Sequence, residues 1–275
     1  MKKNTISVII PVYNRTDFVR EAIQSALDQT YENIEIIVVN DGSTDKNTIK
    51  IIDEFKQKIL IINQENKGVS AARNTGIDHS SCDWLAFLDS DDLWLPEKLK
   101  RQMNFFIENP NAHICQTEEI WIKNGKQIFP KKKHKKRSGM IFKHCLPLCI
   151  VSPSAVMIHR SLFDEIGTFD ESLTACEDYD LWLRISCKYP IYLLDEPLII
   201  KRGGHSDQLS QGIRLDRFRI RSLNKLLSSN VLTDEQQREA KKELIKKCTI
   251  YKKGCLKHGR FEEAERIAQL LSTLS

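Results

Sequence analysis

The chain has 275 residues, of which 41% are hydrophobic and 29% charged, a balance that is typical of globular proteins and excludes a largely disordered chain. Its formal net charge of +5 is too small to indicate nucleic-acid binding, and no apolar run approaches the roughly 20 residues that span a bilayer. The eight cysteines form no CxxC pair and lie mostly in apolar stretches, so we expect reduced thiols in a cytoplasmic protein.

Short apolar runs alternate with amphipathic segments in the first part of the chain. The runs predict strands at residues 6–10, 35–39, 59–62 and 84–88, and the amphipathic segments predict helices at about 16–29, 45–55 and 69–78. The strands lack polar alternation, as expected of strands that are buried on both faces. This order predicts an α/β fold with a mainly parallel, doubly wound, Rossmann-like sheet and helices on both faces.

Polar residues follow the predicted strands, where ligands of parallel sheets bind. They are Tyr13, Asp41, Asn66 and the cluster Asp89-Ser90-Asp91-Asp92. Three carboxylates within four residues repel one another unless water or a cation neutralises them, and hard oxygen ligands suit Mg²⁺ or Mn²⁺ held together with substrate phosphates. The alternative is an acidic turn that caps the helix predicted at about 96–109. The dinucleotide-binding GxGxxG pattern and the Walker A pattern are both absent.

The next part of the chain contains a half-exposed strand at residues 113–122, a hairpin signal at Asn124-Gly125, and a run of basic residues at 131–137. We interpret the basic run as a solvated, mobile loop, since like charges repel. The competing interpretation is attraction to an anionic membrane surface or an anionic acceptor. No aromatic residue is interleaved in the run, which argues against binding of single-stranded nucleic acid.

A second acidic cluster, Glu177-Asp178-Tyr179-Asp180, begins a helix, where the helix dipole tolerates negative charge. Strands are predicted at 191–194 and 198–201, and His205 lies in a polar loop that follows them. From about residue 213 the chain is predicted to be helical, and Thr233 to Gln236 form a capping-box pattern. We therefore expect one domain at 1–212, with a nucleotide-binding half at about 1–110 and an acceptor half at about 111–212, followed by a helical extension at 213–275.

Five motifs occur in an order that resembles the family 2 glycosyltransferases with the GT-A fold. They are SVIIPVYNR, VVNDGSTD, NKGVSAARNTGI, WLAFLDSDD and CEDYDLWLR, and they cover about residues 6–210. Each motif is weak alone, but five in register are specific. The chain departs from the pattern at Asn40, where relatives often carry a second Asp beside Asp41.

The resemblance implies a role for each matching residue. Pro11, Tyr13 and Arg15 would line the nucleotide base, Asp41 would accept a hydrogen bond from uracil, and Gly68 and Arg73 would lie beside the base and ribose. Asp89, Ser90 and Asp91 resemble the DxD motif, in which the last Asp binds the metal, with Asp92 as a close alternative. Asp178, paired with Glu177, matches the catalytic base, and His205 resembles a histidine that in some relatives reaches the metal or diphosphate.

The implied activity is inverting transfer of a sugar from a nucleotide sugar, expected to be a UDP-sugar, to a glycan or lipid-linked acceptor. A divalent cation, Mn²⁺ or Mg²⁺, would neutralise the leaving diphosphate, and a single carboxylate base is typical of one in-line displacement. The alternatives are a nucleotidyltransferase or a catalytically silent nucleotide-sugar-binding protein. We expect a cytoplasmic protein that contacts the anionic inner face of the membrane and binds no nucleic acid.

Overall fold

The computed structural model describes residues 4–204 and 214–274. In this part of the chain one nine-stranded mixed sheet carries helices on both faces, with the strand order β3-β2-β1-β4-β8-β6-β9-β5 and β7 paired to β6. The strands are β1 (Ile6–Val12), β2 (Ile34–Asp41), β3 (Leu60–Gln64), β4 (Trp84–Phe87), β5 (Leu93–Trp94), β6 (Ile114–Lys123), β7 (Lys126–Ile128), β8 (Val156–His159) and β9 (Tyr192–Gly203).

The helices are α1 (Val19–Leu27), α2 (Lys46–Asp53), α3 (Val69–His79), α4 (Lys98–Glu108), α5 (Phe142–Cys145), α6 (Ser161–Ile166), α7 (Glu177–Ser186), α8 (Leu215–Leu227), α9 (Asp234–Lys257) and α10 (Phe261–Thr273). They include those predicted at about 16–29, 45–55, 69–78 and 96–109, the one that begins at Glu177 and the helical segment after residue 213, whereas α5 was not predicted. Thr233 caps α9 with the predicted capping box, in which its hydroxyl accepts from the Gln236 N–H and the Gln236 side chain accepts from the Thr233 N–H. No helix within the described ranges combines the length and the apolar composition needed to cross a membrane.

The first half of the sheet is parallel. β1 pairs in parallel with both β2 and β4, and β2 pairs in parallel with β3. Every residue of β1 is buried, which explains why this strand lacks a polar alternation. The crossover helices cover its two faces, and Gly76 of α3 lies so close to Ile9 that an added Cβ would come within 2.4 Å of it. The parallel pairing of β1 with β2 and β4 brings the loops after these three strands to one edge of the sheet.

The second half of the sheet is mixed. β8 runs antiparallel to β4 and β6, whereas β6 and β9 are parallel. The two strands that the sequence predicts at 191–194 and 198–201 form the single strand β9. A register shift opposite Thr117, Glu118 and Glu119 absorbs the interruption, with Pro197 at the irregularity, where a missing N–H is tolerated. The predicted α/β fold class is therefore confirmed, with parallel pairing throughout the first half only.

The helical segment after residue 213 shares a hydrophobic core with the rest of the chain. Leu223 of α8 and Leu244 of α9 are fully buried in the same cluster as Phe87 of β4 and Trp182 of α7. A hydrogen bond from the Gln236 side chain to the Cys187 carbonyl, at 2.8 Å, joins α9 to the end of α7. The position of α7 thus depends on the helices that follow it.

Candidate active site

The loops at the carboxyl ends of β1, β2 and β4 open into a cleft of about 1180 Å³. Its second wall comes from β6, β9, the start of α7, and His134 and Lys136 of the basic run. Every described residue that the sequence predicts for the site lines this cleft, namely Pro11, Tyr13, Arg15, Asp41, Gly68, Arg73, Asp89, Ser90, Asp91, Asp92, Glu177 and Asp178. His205, the remaining predicted residue, lies outside the described residues.

Hydrogen bonds tie the loop after β1 to the loop after β2. Asn14 adopts a left-handed backbone conformation with φ of 44°, and its side-chain oxygen accepts from the N–H groups of Thr44 and Asp45 at 2.9 and 3.0 Å. Gly42 also has a positive φ, and a Cβ there would lie 2.6 Å from the Asn66 nitrogen. Glycine is therefore required at this close approach.

Asp41 holds the segment that precedes α3. One carboxylate oxygen accepts from the Lys67 N–H at 2.9 Å and from the Gln64 side chain at 2.7 Å. The other accepts from the Gly68 N–H at 2.9 Å, and the residue is only 3% exposed. Asp41 thus shapes the wall beside the predicted base position, and its contact with uracil stays a prediction.

The acidic loop after β4 divides its carboxylates between the protein interior and the cleft. Asp92 is buried, and its two oxygens accept from the Ser154 hydroxyl at 2.7 Å and the Arg202 N–H at 3.1 Å. Burial and then the charge of Asp91 raise the pKa of Asp92 well above its usual range. The half-buried Asp91 lines the cleft. This arrangement favours Asp91 over Asp92 as the carboxylate that reaches a cation beside a bound substrate.

Arg73 connects the two acidic clusters. Its guanidinium donates to Asp89 at 2.6 Å and to Glu177 at 2.7 Å, and its side chain is 4% exposed. Burial lowers the pKa of Arg73, but the charges of Asp89 and Glu177 outweigh it and raise that pKa above its usual value. Burial also raises the pKa of Glu177, although the charge of Arg73 opposes this shift. The contacts of Glu177 thus fit a residue that positions Arg73.

Asp178 lies in the first turn of α7 and is half-buried. One carboxylate oxygen accepts from the Tyr179 N–H at 2.6 Å, and the other accepts from the Cys149 thiol at 3.4 Å. Burial, followed by the charge of Asp178, raises the pKa of Cys149 well above its usual range, so that thiol stays a neutral donor. Cys176, which precedes the helix, has a left-handed backbone with φ of 59° and turns the chain into the cleft.

Three charged residues that were not singled out individually in the sequence also line the cleft, namely Glu119, Lys136 and Lys201. Lys136 of the basic run is buried and pairs with Glu119 at 2.9 Å, so the interpretation of the entire run as a solvated loop is wrong. The ammonium group of the half-buried Lys201 donates to the Ser152 hydroxyl at 3.1 Å. Burial lowers the pKa of Lys201, but the carboxylates of Glu119 and then Asp92 outweigh it and raise that pKa above its usual value.

A cation site made by the protein alone is not visible in residues 4–204 and 214–274. No group of three or more His, Cys, Asp or Glu side chains in these ranges is arranged to hold a metal ion. The donor set at the acidic loop, with Asp91 beside the cleft and Asp89 more than a quarter exposed, nevertheless fits a hard cation. Mg²⁺ in particular is often held by one or two carboxylates, with the remaining ligands supplied by water and substrate phosphates.

The cleft and its motifs can now be compared with known proteins. A family model described as Glycosyl transferase family 2 matches residues 7–167, which is more than half of the chain. The chain belongs to glycosyltransferase family 2. The resemblance inferred from the five motifs is confirmed, and so is the expectation of a glycosyltransferase.

Several curated relatives of this family 2 chain come from bacteria. An uncharacterized glycosyltransferase of Rickettsia typhi is 40% identical over an alignment of 220 positions that covers 76% of this chain and 68% of the relative. The Escherichia coli protein WfgD, named a UDP-Glc:alpha-D-GlcNAc-diphosphoundecaprenol beta-1,3-glucosyltransferase, is 33% identical over 184 residues, covering 66% of this chain and 69% of its own length. Other relatives are longer: the match spans only 35% of an uncharacterized glycosyltransferase of Rickettsia felis.

Solved structures confirm the fold. S. aureus TarS in complex with UDP-GlcNAc superposes with a TM-score of 0.71 at 20% identity and covers 88% of this chain and 71% of that chain. The mannosyltransferase PcManGT from Pyrobaculum calidifontis, in complex with GDP-Man and Mn²⁺, superposes with a TM-score of 0.60 at 14% identity, over 98% of this chain and 79% of that one. At this identity the likeness supports the GT-A architecture alone.

Proposed function

We propose that this family 2 chain is an inverting glycosyltransferase that moves a sugar from a UDP-sugar to a hydroxyl group of a glycan or lipid-linked acceptor. The observation that carries the proposal is the arrangement around Arg73. Its guanidinium joins the acidic loop after β4 to the first turn of α7, so that Asp91 and Asp178 line one cleft. One carboxylate is thereby available beside the donor phosphates and another beside the acceptor.

The donor assignment rests on the relatives and on the shape of the first wall. The name of WfgD specifies UDP-Glc, and TarS has been solved with UDP-GlcNAc, whereas PcManGT has been solved with GDP-Man and Mn²⁺. The loops that Asn14 and Asp41 hold in place form a preorganised surface on which a nucleoside can lie. Asp91, together with Asp89, would hold Mn²⁺ or Mg²⁺, and that cation, when bound, supplies Lewis-acid stabilisation of the leaving diphosphate.

The chain's own groups provide the other parts of the reaction. A carboxylate oxygen of Asp178 takes the proton of the acceptor hydroxyl. At the same time the oxygen of that hydroxyl attacks the anomeric carbon. The bond to the diphosphate breaks on the opposite face, so the configuration inverts. Lys201 and Arg73 keep positive charge beside the carboxylates. The two cysteines that flank the base, Cys149 and Cys176, limit water at its sides.

The test is a comparison of Asp178→Asn with a matched control. Glu171 also lines the cleft and is exposed, so Glu171→Gln removes one carboxylate without touching the proposed base. We expect Asp178→Asn to lower turnover of a UDP-sugar about 10²–10⁴-fold, the usual contribution of general base catalysis, with Glu171→Gln near wild type. Turnover by Asp178→Asn equal to wild type would remove Asp178 as the base.

Donor binding separates this outcome from a catalytically silent protein. Thermal shift with a panel of nucleotide sugars, with Mn²⁺ and with a chelator, is expected to give stabilisation by a UDP-sugar in both wild type and Asp178→Asn. Stabilisation without any turnover in the wild type would support a binding protein that has no catalytic role. No stabilisation by any UDP-sugar would contradict the donor assignment.

The acceptor and the site of action are proposed by the same reasoning. The name of WfgD specifies a diphosphoundecaprenol-linked acceptor, and the second wall of the cleft carries the basic residues Lys123, Lys136, Lys201 and Arg202. A lipid-linked saccharide with a diphosphate would be attracted to this wall by charge. We therefore propose that the protein works in the cytoplasm, peripherally at the inner face of the membrane.

A further inference from the structure

The second wall of the cleft continues into a surface that carries basic side chains and no acidic side chain. No Asp or Glu occurs between Glu119 and Asp164. Between β6 and α5 the exposed basic side chains are Lys123, Lys126, Lys131, Lys132, Lys133, Lys135 and Arg137. We call these residues, together with the apolar pair Ile128 and Phe129, the hairpin surface.

The apolar pair distinguishes the hairpin surface from an ordinary solvated basic loop. Phe129 is 87% exposed, more than the other large hydrophobic side chains that lie at the surface of the described chain, and Ile128 is 37% exposed. The pair lies at the end of β7, which pairs with β6 away from the main run of strands. A lone exposed apolar residue is common, but here an exposed aromatic residue lies two positions before a basic run, with Pro130 between them, and apolar residues beside basic ones are typical of segments that enter a membrane interface.

The hairpin surface is held in a defined position. The buried ion pair between Lys136 and Glu119 anchors the end of the basic run to β6. The His134 ring lies 5.3 Å from the Trp121 ring, which anchors its middle. Because these anchors use the inward-facing residues, the remaining lysines point away from the core and are available to a partner.

The hairpin surface is also continuous with the cleft. Lys123 and Ile128 belong both to this surface and to the cleft lining. A partner that covers the surface would therefore lie at the mouth through which the acceptor enters. An anionic bilayer matches the surface in charge and accepts the exposed aromatic ring, and it presents a lipid-linked acceptor at that mouth.

We propose that the hairpin surface docks the protein on an anionic phospholipid bilayer, with Phe129 entering the interface and the exposed lysines lying among the headgroups. This proposal rests on the proposed function, because it orients the cleft towards a lipid-linked acceptor. Each basic residue close to an anionic surface contributes about fivefold to binding, equivalent to about 1 kcal/mol, so loss of three lysines corresponds to roughly a hundredfold.

The test is co-sedimentation of the full chain with vesicles of equal parts phosphatidylcholine and phosphatidylglycerol, compared with vesicles of phosphatidylcholine alone. The hairpin variants are the triple substitution Lys131→Ser, Lys132→Ser and Lys133→Ser, and the single substitution Phe129→Ser. The matched controls replace exposed residues of α9 and α10, with the triple substitution Lys246→Ser, Lys253→Ser and Lys257→Ser and the single substitution Phe261→Ser, whose side chain is 68% exposed.

We expect wild type to bind the anionic vesicles and not the neutral ones. The hairpin triple variant should bind roughly a hundredfold more weakly and Phe129→Ser several-fold more weakly, while both controls stay within about twofold of wild type. Equal losses in the hairpin and control triples would show a general charge effect and overturn the proposal. Wild-type binding that is equal on the two kinds of vesicle would also overturn it.

Two measurements keep this result separate from the proposed function. UDP-sugar hydrolysis in the absence of vesicles is expected to be unchanged in the hairpin variants, because the substituted side chains are exposed and none of them lines the cleft. Vesicle binding by Asp178→Asn is expected to equal that of wild type. Loss of turnover in Asp178→Asn with retained vesicle binding would support both proposals, whereas failure of either readout would count against one of them alone.

Discussion

Removal of Arg73 should destabilise the protein in a way that depends on pH. In wild type the guanidinium pairs with Glu177, whose side chain is 7% exposed, and with Asp89, which is 27% exposed. Arg73→Met preserves most of the apolar volume but leaves both carboxylates without this partner. The cost comes mainly from Glu177, since Asp89 can regain water.

Breaking a buried ion pair by removing one partner typically costs 3–5 kcal/mol, so we expect Arg73→Met to lower the free energy of unfolding by about that amount at pH 8. Burial already raises the pKa of Glu177, and loss of Arg73 removes the main charge that opposes this shift. A carboxyl whose pKa is higher in the folded state contributes stability below its unfolded pKa and loses it as pH rises. The deficit should therefore be smaller at pH 5 than at pH 8.

The assay is urea unfolding of wild type, Arg73→Met, Glu177→Gln and the double variant at pH 5 and pH 8. In the double variant the neutral amide replaces the stranded carboxylate, so we expect it to recover a large part of the loss at pH 8 and little at pH 5. A deficit that is the same at both pH values, with no recovery in the double variant, would refute the reasoning.

Two further buried charged residues, Lys98 and Glu119, are expected to change the free energy of unfolding at neutral pH in opposite directions. Burial lowers the pKa of Lys98 to about 7, so the free energy of unfolding of wild type should rise with pH between about 7 and the unfolded pKa near 10.4. In urea unfolding, Lys98→Met should therefore be more stable than wild type at pH 7, by an amount that shrinks towards pH 10. A gain in stability that does not depend on pH would contradict this prediction. Burial raises the pKa of Glu119, but the charge of Lys136 outweighs this effect and lowers the pKa to about 2. Ionised Glu119 therefore stabilises the fold above its unfolded pKa of about 4.3, and this contribution to stability is lost as the pH falls towards 2. Glu119→Gln should therefore cost about 3–5 kcal/mol at pH 7, measured by urea unfolding against wild type, and the gap should narrow below pH 4; a gap that stays constant with pH would show that the pair with Lys136 is not its source.

The parallel half of the fold and the general location of the site follow from the sequence, because both depend on local patterns. Buried strands that alternate with amphipathic helices predict a parallel sheet, and residues that follow parallel strands meet at one edge. Asp41 and Asp91 were placed together by this rule alone, although 50 positions separate them in the chain. The two strands predicted near Pro197 instead form one, since a bulge opposite Glu118 lets the pairing continue.

The direction in which each carboxylate of the two acidic clusters points cannot be predicted from local sequence patterns. Asp91 and Asp92 are adjacent and chemically identical, and the Ser154 hydroxyl that draws Asp92 inward comes from the distant loop before β8. Glu177 precedes the proposed base Asp178 in the chain, but its carboxylate pairs with Arg73, which comes from α3. Contacts of this kind depend on how the two halves of the sheet pack together, and no spacing in the sequence encodes them directly.

The common core beneath α7 has a consequence for how this chain can change its acceptor. The family model ends at residue 167, whereas the proposed base and the helices that support it, from Leu223 to Leu244 and beyond, come later. The loops after β1, β2 and β4 thus lie within the matched region, whereas α7 and the helices packed in its core lie after it. Because α8 and α9 pack in the same core as α7, exchange of these helices between relatives is expected to shift α7 and the proposed base Asp178 and to leave the loops after β1, β2 and β4 in place.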